Sequence, residues 1–255
     1  MESVEKSAYQ TVVELPSRGF LYGEKLPDGK VSIRTMTTNE EKFIYSGKGS
    51  IPEKMNTLLL RCCQLPQGFN PGELLVSDRL FLLIKIRLAS FPGIPYSFHV
   101  QCENDNCGEQ FSHTCDLVEL PVEYLDEAKE EPFTVDLPVC GRQVGFRMLR
   151  GKDETQIYSY AKRQKLKKNK SKMEDETYTY ALARRIVSID GNEIDQATAL
   201  TFLENNFVSA DSLALKKAIE KEDCGVNTDL AVECPECGFL FEKDMPFTKE
   251  FLRPE

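Results

Sequence analysis

The chain has 255 residues, with 32 Lys plus Arg against 41 Asp plus Glu and a formal net charge of -9. That balance argues against nucleic acid as the main partner, and no apolar run approaches the length of a membrane span. The length allows one large domain or two small ones, and the odd count of nine cysteines points to metal-bound and free thiols in a reducing cytosol.

The opening stretch to Lys6 lacks the apolar core of a signal peptide. Residues 1–29 read as an extended N-terminal arm, because Pro16 and Gly19 forbid a helix. Two uses are open for Leu15, Pro16, Arg18, Phe20 and Tyr22: packing on the chain's own core, or docking onto another protein.

From Lys30 to Arg34 the alternation predicts a strand, and Thr37 ahead of Glu40 and Glu41 predicts a helix start. That helix runs through Ile44 and Tyr45 and stops at Ser46 to Gly49. A second helix follows Pro52 and places Met55, Leu58, Leu59 and Cys62 on one face. Pro66 to Pro71 is a loop, and Gly72 to Leu88 reads as a longer helix. A strand from Tyr96 to Val100 then leads into Cys102, Cys107 and Gly108, and a further strand ends near Leu120.

Residues 122–142 read as an acidic linker and the start of a hairpin, whose return strand runs from Gln143 to Arg147. From there the pattern of the first half recurs. Residues 30–46 lie over residues 143–159 without a gap, and Val31, Arg34, Glu41, Ile44, Tyr45 and Ser46 meet Val144, Arg147, Glu154, Ile157, Tyr158 and Ser159. Further on Asp78 meets Asp211, and Cys107, Gly108 and Phe111 meet Cys237, Gly238 and Phe241. Such recurrence predicts two tandem repeats, 30–121 and 143–255. The basic run from Lys162 to Lys172 has no counterpart in the first repeat and reads as a solvated helix end, a disordered excursion or a patch for an acidic partner. An Asp190-Gly191 turn closes a short extended segment.

Each repeat carries two cysteines and then a glycine between short strands. Such a turn aims both sulfurs at one point, and the glycine supplies the positive φ that closes it. One pair offers two thiolates, whereas a structural zinc ion takes four in a tetrahedron. Cys102, Cys107, Cys234 and Cys237 are therefore expected to share one zinc-ribbon-like Zn2+ site that clasps the halves of an α+β protein. His113 and Cys115 are possible substitute ligands, with strand packing as their simpler role. No P-loop, nucleophile elbow or dinucleotide fingerprint occurs, and a closed four-thiolate site leaves no position for a reacting water, so no enzyme is expected.

Several stretches together resemble the baseplate hub assembly chaperone family of T-even-type contractile-tailed phages. They are Leu15 to Gly19 with Tyr22, Ile33 to Glu41, Leu75 to Arg79, Phe146 to Glu154, the two cysteine pairs and Phe251 to Pro254. The Cys102 to Cys107 spacing is wider than the C-x2-C that many members carry. The resemblance implies a non-enzymatic phage protein that binds hub subunits or other tail proteins while the tail is built in the host cytoplasm. A permanent part in the virion's tail baseplate is the alternative, and a zinc-ribbon nucleic-acid module is a more distant one.

Overall fold

The computed structural model describes residues 11–46, 49–167, 176–247 and 250–252. The opening stretch to Lys6, the end of the basic run beyond Lys167, and Arg253 and Pro254 lie outside them. The chain is a mixed α and β protein in which small antiparallel sheets are packed among helices.

The first sheet has the order β1 (Thr11–Glu14), β2 (Lys30–Ile33), β3 (Cys63–Gln64). Between β2 and β3 lie α1 (Thr38–Tyr45) and α2 (Ile51–Cys62). Both helices open on a reciprocal cap. In α1, Thr37 accepts the Asn39 amide while Glu40 accepts the Thr37 amide, and in α2 Ser50 and Glu53 play the same roles. Pro52 therefore sits inside the first turn of α2 rather than before it, where its missing N–H costs nothing.

The expected helix from Gly72 to Leu88 is divided. A 3-10 turn, Pro71–Glu73, is followed by extended backbone at Leu74 and Leu75, and α3 spans Val76–Ser90. The break has a tertiary cause. Leu74 and Leu75 form a bridge to the start of the second half: Val76 N donates to Leu149 O and Gly151 N donates to Leu74 O, each at 3.0 Å.

After the hairpin β4 (Tyr96–Gln101) and β5 (Gln110–Cys115) comes the segment expected to be a linker. It is not free. Its short strand β6 (Val122–Glu123) pairs with β11 (Gly225–Val226) from late in the chain, and Leu125 is buried, its N–H donating to Pro16 O.

The second sheet has the order β10 (Asn192–Glu193), β9 (Ile186–Ile189), β8 (Gln143–Phe146), β7 (Phe133–Asp136). Between β8 and β9 run α4 (Gly151–Lys167) and α5 (Glu176–Ala183). Then follow α6 (Gln196–Asn206), α7 (Ser209–Glu222) and the hairpin β12 (Asp229–Glu233) and β13 (Leu240–Asp244). The core runs through both halves, with Val31, Leu59, Leu82, Ile86, Val144, Phe146 and Leu215 all closed to solvent.

The N-terminal segment, read as an extended arm, lies against the rest of the chain. Val12 and Val13 pair with Ser32 and Val31, and Leu15, Pro16 and Tyr22 are buried. Leu15 and Tyr22 are drawn into the chain's own core, where their transfer from water is favourable without a partner.

Candidate metal centre

The two cysteine pairs stand at the tips of the two hairpins. The β4–β5 ladder ends at Gln101 opposite Gln110, and the β12–β13 ladder ends at Glu233 opposite Leu240, so Cys102 and Cys234 are the first residues beyond the last rungs. Both turns close in the same way. The first cysteine's amide donates to the carbonyl of the residue after the glycine: Cys102 to Glu109 at 2.8 Å and Cys234 to Phe239 at 3.0 Å. Gly108 and Gly238 have φ of +65° and +68°, a conformation that a Cβ disfavours. The two extra residues of the first turn are absorbed locally, where Asn104 accepts the amides of Asn106 and Cys107.

The four sulfurs converge. Cys102 Sγ lies 3.7 Å from Cys237 Sγ and Cys107 Sγ lies 3.9 Å from Cys234 Sγ, each contact crossing between the halves. All four sulfurs are within 4.8 Å of one another. A tetrahedral ion with bonds of about 2.3 Å to sulfur sets its ligands about 3.8 Å apart, whereas a disulfide would bring two of them to about 2 Å. The spacing fits one shared metal ion. Cys102 and Cys234 are buried while Cys237 is exposed, so the site is closed on its inner side and open at its rim. Asn104 Nδ2 donates to Cys237 Sγ at 3.8 Å, and Lys243 meets Glu103 at 2.9 Å from hairpin to hairpin.

The thiols differ in acidity. Desolvation pushes Cys234 up, but the amides of Cys237 and Glu236 and the thiols around it bring it down to about 7. At Cys107 the Glu109 amide favours the thiolate, yet desolvation and the three other sulfurs hold it at about 12. Four sulfurs at this distance cannot all ionise unless a cation sits among them, which is the behaviour of a metal ligand set. Four thiolates around one ion would leave no coordination position for substrate or water.

Neither possible substitute ligand points into this cluster. The His113 ring meets Phe98 edge-on at 5.6 Å, and Cys115 Sγ donates to Met245 Sδ at 3.9 Å.

The segment from Leu15 to Tyr22 is held by Asp78, the residue paired in sequence with Asp211. Asp78 accepts from Ser17 N, Ser17 Oγ and Tyr22 Oη at 3.0, 2.5 and 2.6 Å, and Tyr22 Oη in turn accepts the Leu75 amide. Asp211 holds the β7–β8 turn likewise, accepting from the amides of Val139 and Cys140. Of the candidate docking side chains, Arg18 and Phe20 are half-buried, and Arg18 Nη1 donates to Leu125 O.

Sequence reading passed over the acids next to the repeated glutamates. Arg34 pairs with Glu40, and Arg147 pairs with Asp153, which also binds Arg184. The signal was present in both halves as Arg followed six residues later by an acid.

A family model described as "T4 bacteriophage base plate protein" matches residues 20–252. No curated protein and no solved structure matches the chain.

Proposed function

Because the chain belongs to the T4 bacteriophage base plate protein family, we propose that it is a non-enzymatic assembly chaperone of the baseplate hub, acting by protein–protein binding. The observation that carries this reading is the convergence of Cys102, Cys107, Cys234 and Cys237 from opposite halves of the chain. As zinc knuckles sharing one Zn2+, the two hairpins form a rigid clasp, which suits a body that presents fixed surfaces to other tail proteins. The segment from Leu15 to Tyr22 offers a partner what Arg18, Phe20 and Leu21 leave uncovered.

The halves are read as tandem repeats of one unit. Four matched features support this. Arg34 N donates to Cys62 O as Arg147 N donates to Arg185 O. Ile33 pairs with Cys63 as Phe146 pairs with Ile186. Glu40 accepts the Thr37 amide as Asp153 accepts that of Arg150. Leu15, Pro16 and Gly19 precede β2 as Leu137, Pro138 and Gly141 precede β8, and each turn is held by the buried aspartate of its own half. This reading shifts the units outward, to begin at Thr11 and Phe133 rather than at 30 and 143.

A permanent part of the baseplate is the second reading, since the family description fits it equally. Quantitative mass spectrometry of purified particles and of hub intermediates from infected cells separates the two. A chaperone is abundant in the intermediates and absent from particles, whereas a fixed stoichiometry in particles would overturn the chaperone reading.

A further inference from the structure

One of the contacts between the two halves is one-sided. The start of α4 sits on a surface made by α2, the Pro71–Glu73 turn and the start of α3. Its centre is a backbone bridge between Leu75 and Arg150, the residues preceding α3 and α4, flanked by the Gly151–Leu74 and Val76–Leu149 hydrogen bonds. Beside it, Glu154 pairs with Arg79 at 2.8 Å.

The duplicated reading above, on which this inference rests, gives both sides of the joint a second occurrence. Val208 precedes α7 as Leu75 precedes α3, three residues ahead of the buried Asp211 and Asp78. Around Val208, residues Tyr178, Leu182, Leu203, Phe207 and Ser212 line an open groove of about 340 Å³. Tyr178 and Val208 are 58% and 45% exposed there, so this surface, unlike its counterpart, is left uncovered by the described residues. The other side recurs at the start of α1, where Thr37, Thr38 and Asn39 are exposed on the outside of the first half. Thr37 precedes α1 as Arg150 precedes α4, and Glu41 stands where Glu154 stands.

We propose that the Val208 groove receives the start of α1, Met36 to Glu41, of a second copy of this chain. Thr38 N would donate to Phe207 O and Ser209 N to Met36 O, reproducing the internal bridge. Both donors are first amides of helices and lack an intrahelical acceptor. The contact is head-to-tail: each copy uses a different surface, so copies close into a ring or run on as a filament according to the rotation per step. It is weaker than the internal joint, because Ser212 stands where Arg79 stands and gives Glu41 no cation. That difference suits copies that associate at high local concentration and separate otherwise.

Sedimentation of the full chain over a range of concentrations tests the proposal. Self-association is expected, falling about tenfold or more in Val208→Asp, which buries a carboxylate in the groove. Ser212→Arg supplies the missing partner of Glu41 and is expected to strengthen association, with the gain lost when Glu41→Gln is added. Monomers at every concentration for both wild type and Ser212→Arg would overturn it, as would unchanged association of Val208→Asp. A monomer whose Val208→Asp variant drops out of hub intermediates would assign the groove to another tail protein, overturning the second copy but leaving the proposed function intact.

Discussion

Arg79 and Glu154 meet at 2.8 Å across the two halves of the chain, with the Arg79 side chain 2% exposed. The guanidinium also donates to Asn56 Oδ1 and to Pro71 O. It is thus pinned by acceptors from α2, the Pro71–Glu73 turn and α4 together. Burial raises the Glu154 pKa and the charge of Arg79 opposes that rise. Removing one partner leaves the other charge buried and alone, which costs about 3–5 kcal/mol. Glu154→Leu should therefore lower stability strongly in denaturant titration, and Arg79→Met with Glu154→Leu should recover much of the loss. Equal losses in the single and double variants would remove the pair from the joint.

Gly151 packs against the same guanidinium. A Cβ built there meets Nη1, Cζ and Nε of Arg79 inside contact distance. Alanine inside a helix normally gains up to about 1 kcal/mol over glycine. Here the arginine cannot move aside without losing its acceptors, so Gly151→Ala should destabilise by about 1–3 kcal/mol. A stabilised variant in thermal unfolding would show that Arg79 is free to shift.

Tyr22 joins the N-terminal segment to α3 through its hydroxyl, which donates to Asp78 and accepts from the Leu75 amide. Tyr22→Phe keeps the ring, which packs edge-on against Phe69, leaves the Leu75 amide without its acceptor, and takes one of three donors from Asp78, which keeps those of Ser17. A loss of about 1–3 kcal/mol is expected. Hydrogen exchange should quicken at Leu75 before it quickens in β2. No change at Leu75 would mean that this hydroxyl does not hold the break ahead of α3.

The metal centre predicts one zinc ion per chain by elemental analysis, displaced by chelator at high temperature. Cys234→Ser should abolish binding and lower the melting temperature by many degrees, because an ion held there would join the hairpins of opposite halves. His113→Ala should retain the metal. Full zinc content in Cys234→Ser would break the four-sulfur assignment.

Acid should loosen the second half through Asp153. Desolvation raises its pKa, but Arg147, the Arg150 amide and Arg184 outweigh that and hold it at about 2, below the 3.8 of an unperturbed carboxyl. A depressed folded pKa contributes stability above the unfolded value, here roughly 2 kcal/mol, which is lost as pH falls from 4 through 2. Glu40, desolvated but held by Arg34 and Thr37, is also depressed to about 2 and acts in the same window. Asp78 opposes them, since burial raises its pKa and favours its protonated form. Denaturant titrations at pH 7 and pH 3 should show Asp153→Asn less stable than wild type, with the gap narrowing at the lower pH. A gap that widens at pH 3 would contradict the sign.

Local physics made much of this legible in the amino-acid order alone. The cap at Thr37 is short-range, and so are the turns at Gly108 and Gly238, because each is closed by atoms within a few residues. The spacing of Cys102, Cys107, Cys234 and Cys237 was also readable, since a tetrahedral ion needs four thiolates and each pair supplies two. Long-range packing decided the rest. Whether Leu15 and Tyr22 face a partner or the interior depends on Asp78, more than fifty residues away. The break at Leu74 and Leu75 is held by Leu149 to Gly151 lying beside it and by the Tyr22 hydroxyl, and the α2–α3 surface is covered while the groove at Val208 is open. Such outcomes rest on which apolar surfaces find each other when the chain closes, and no window of sequence holds both sides of that choice.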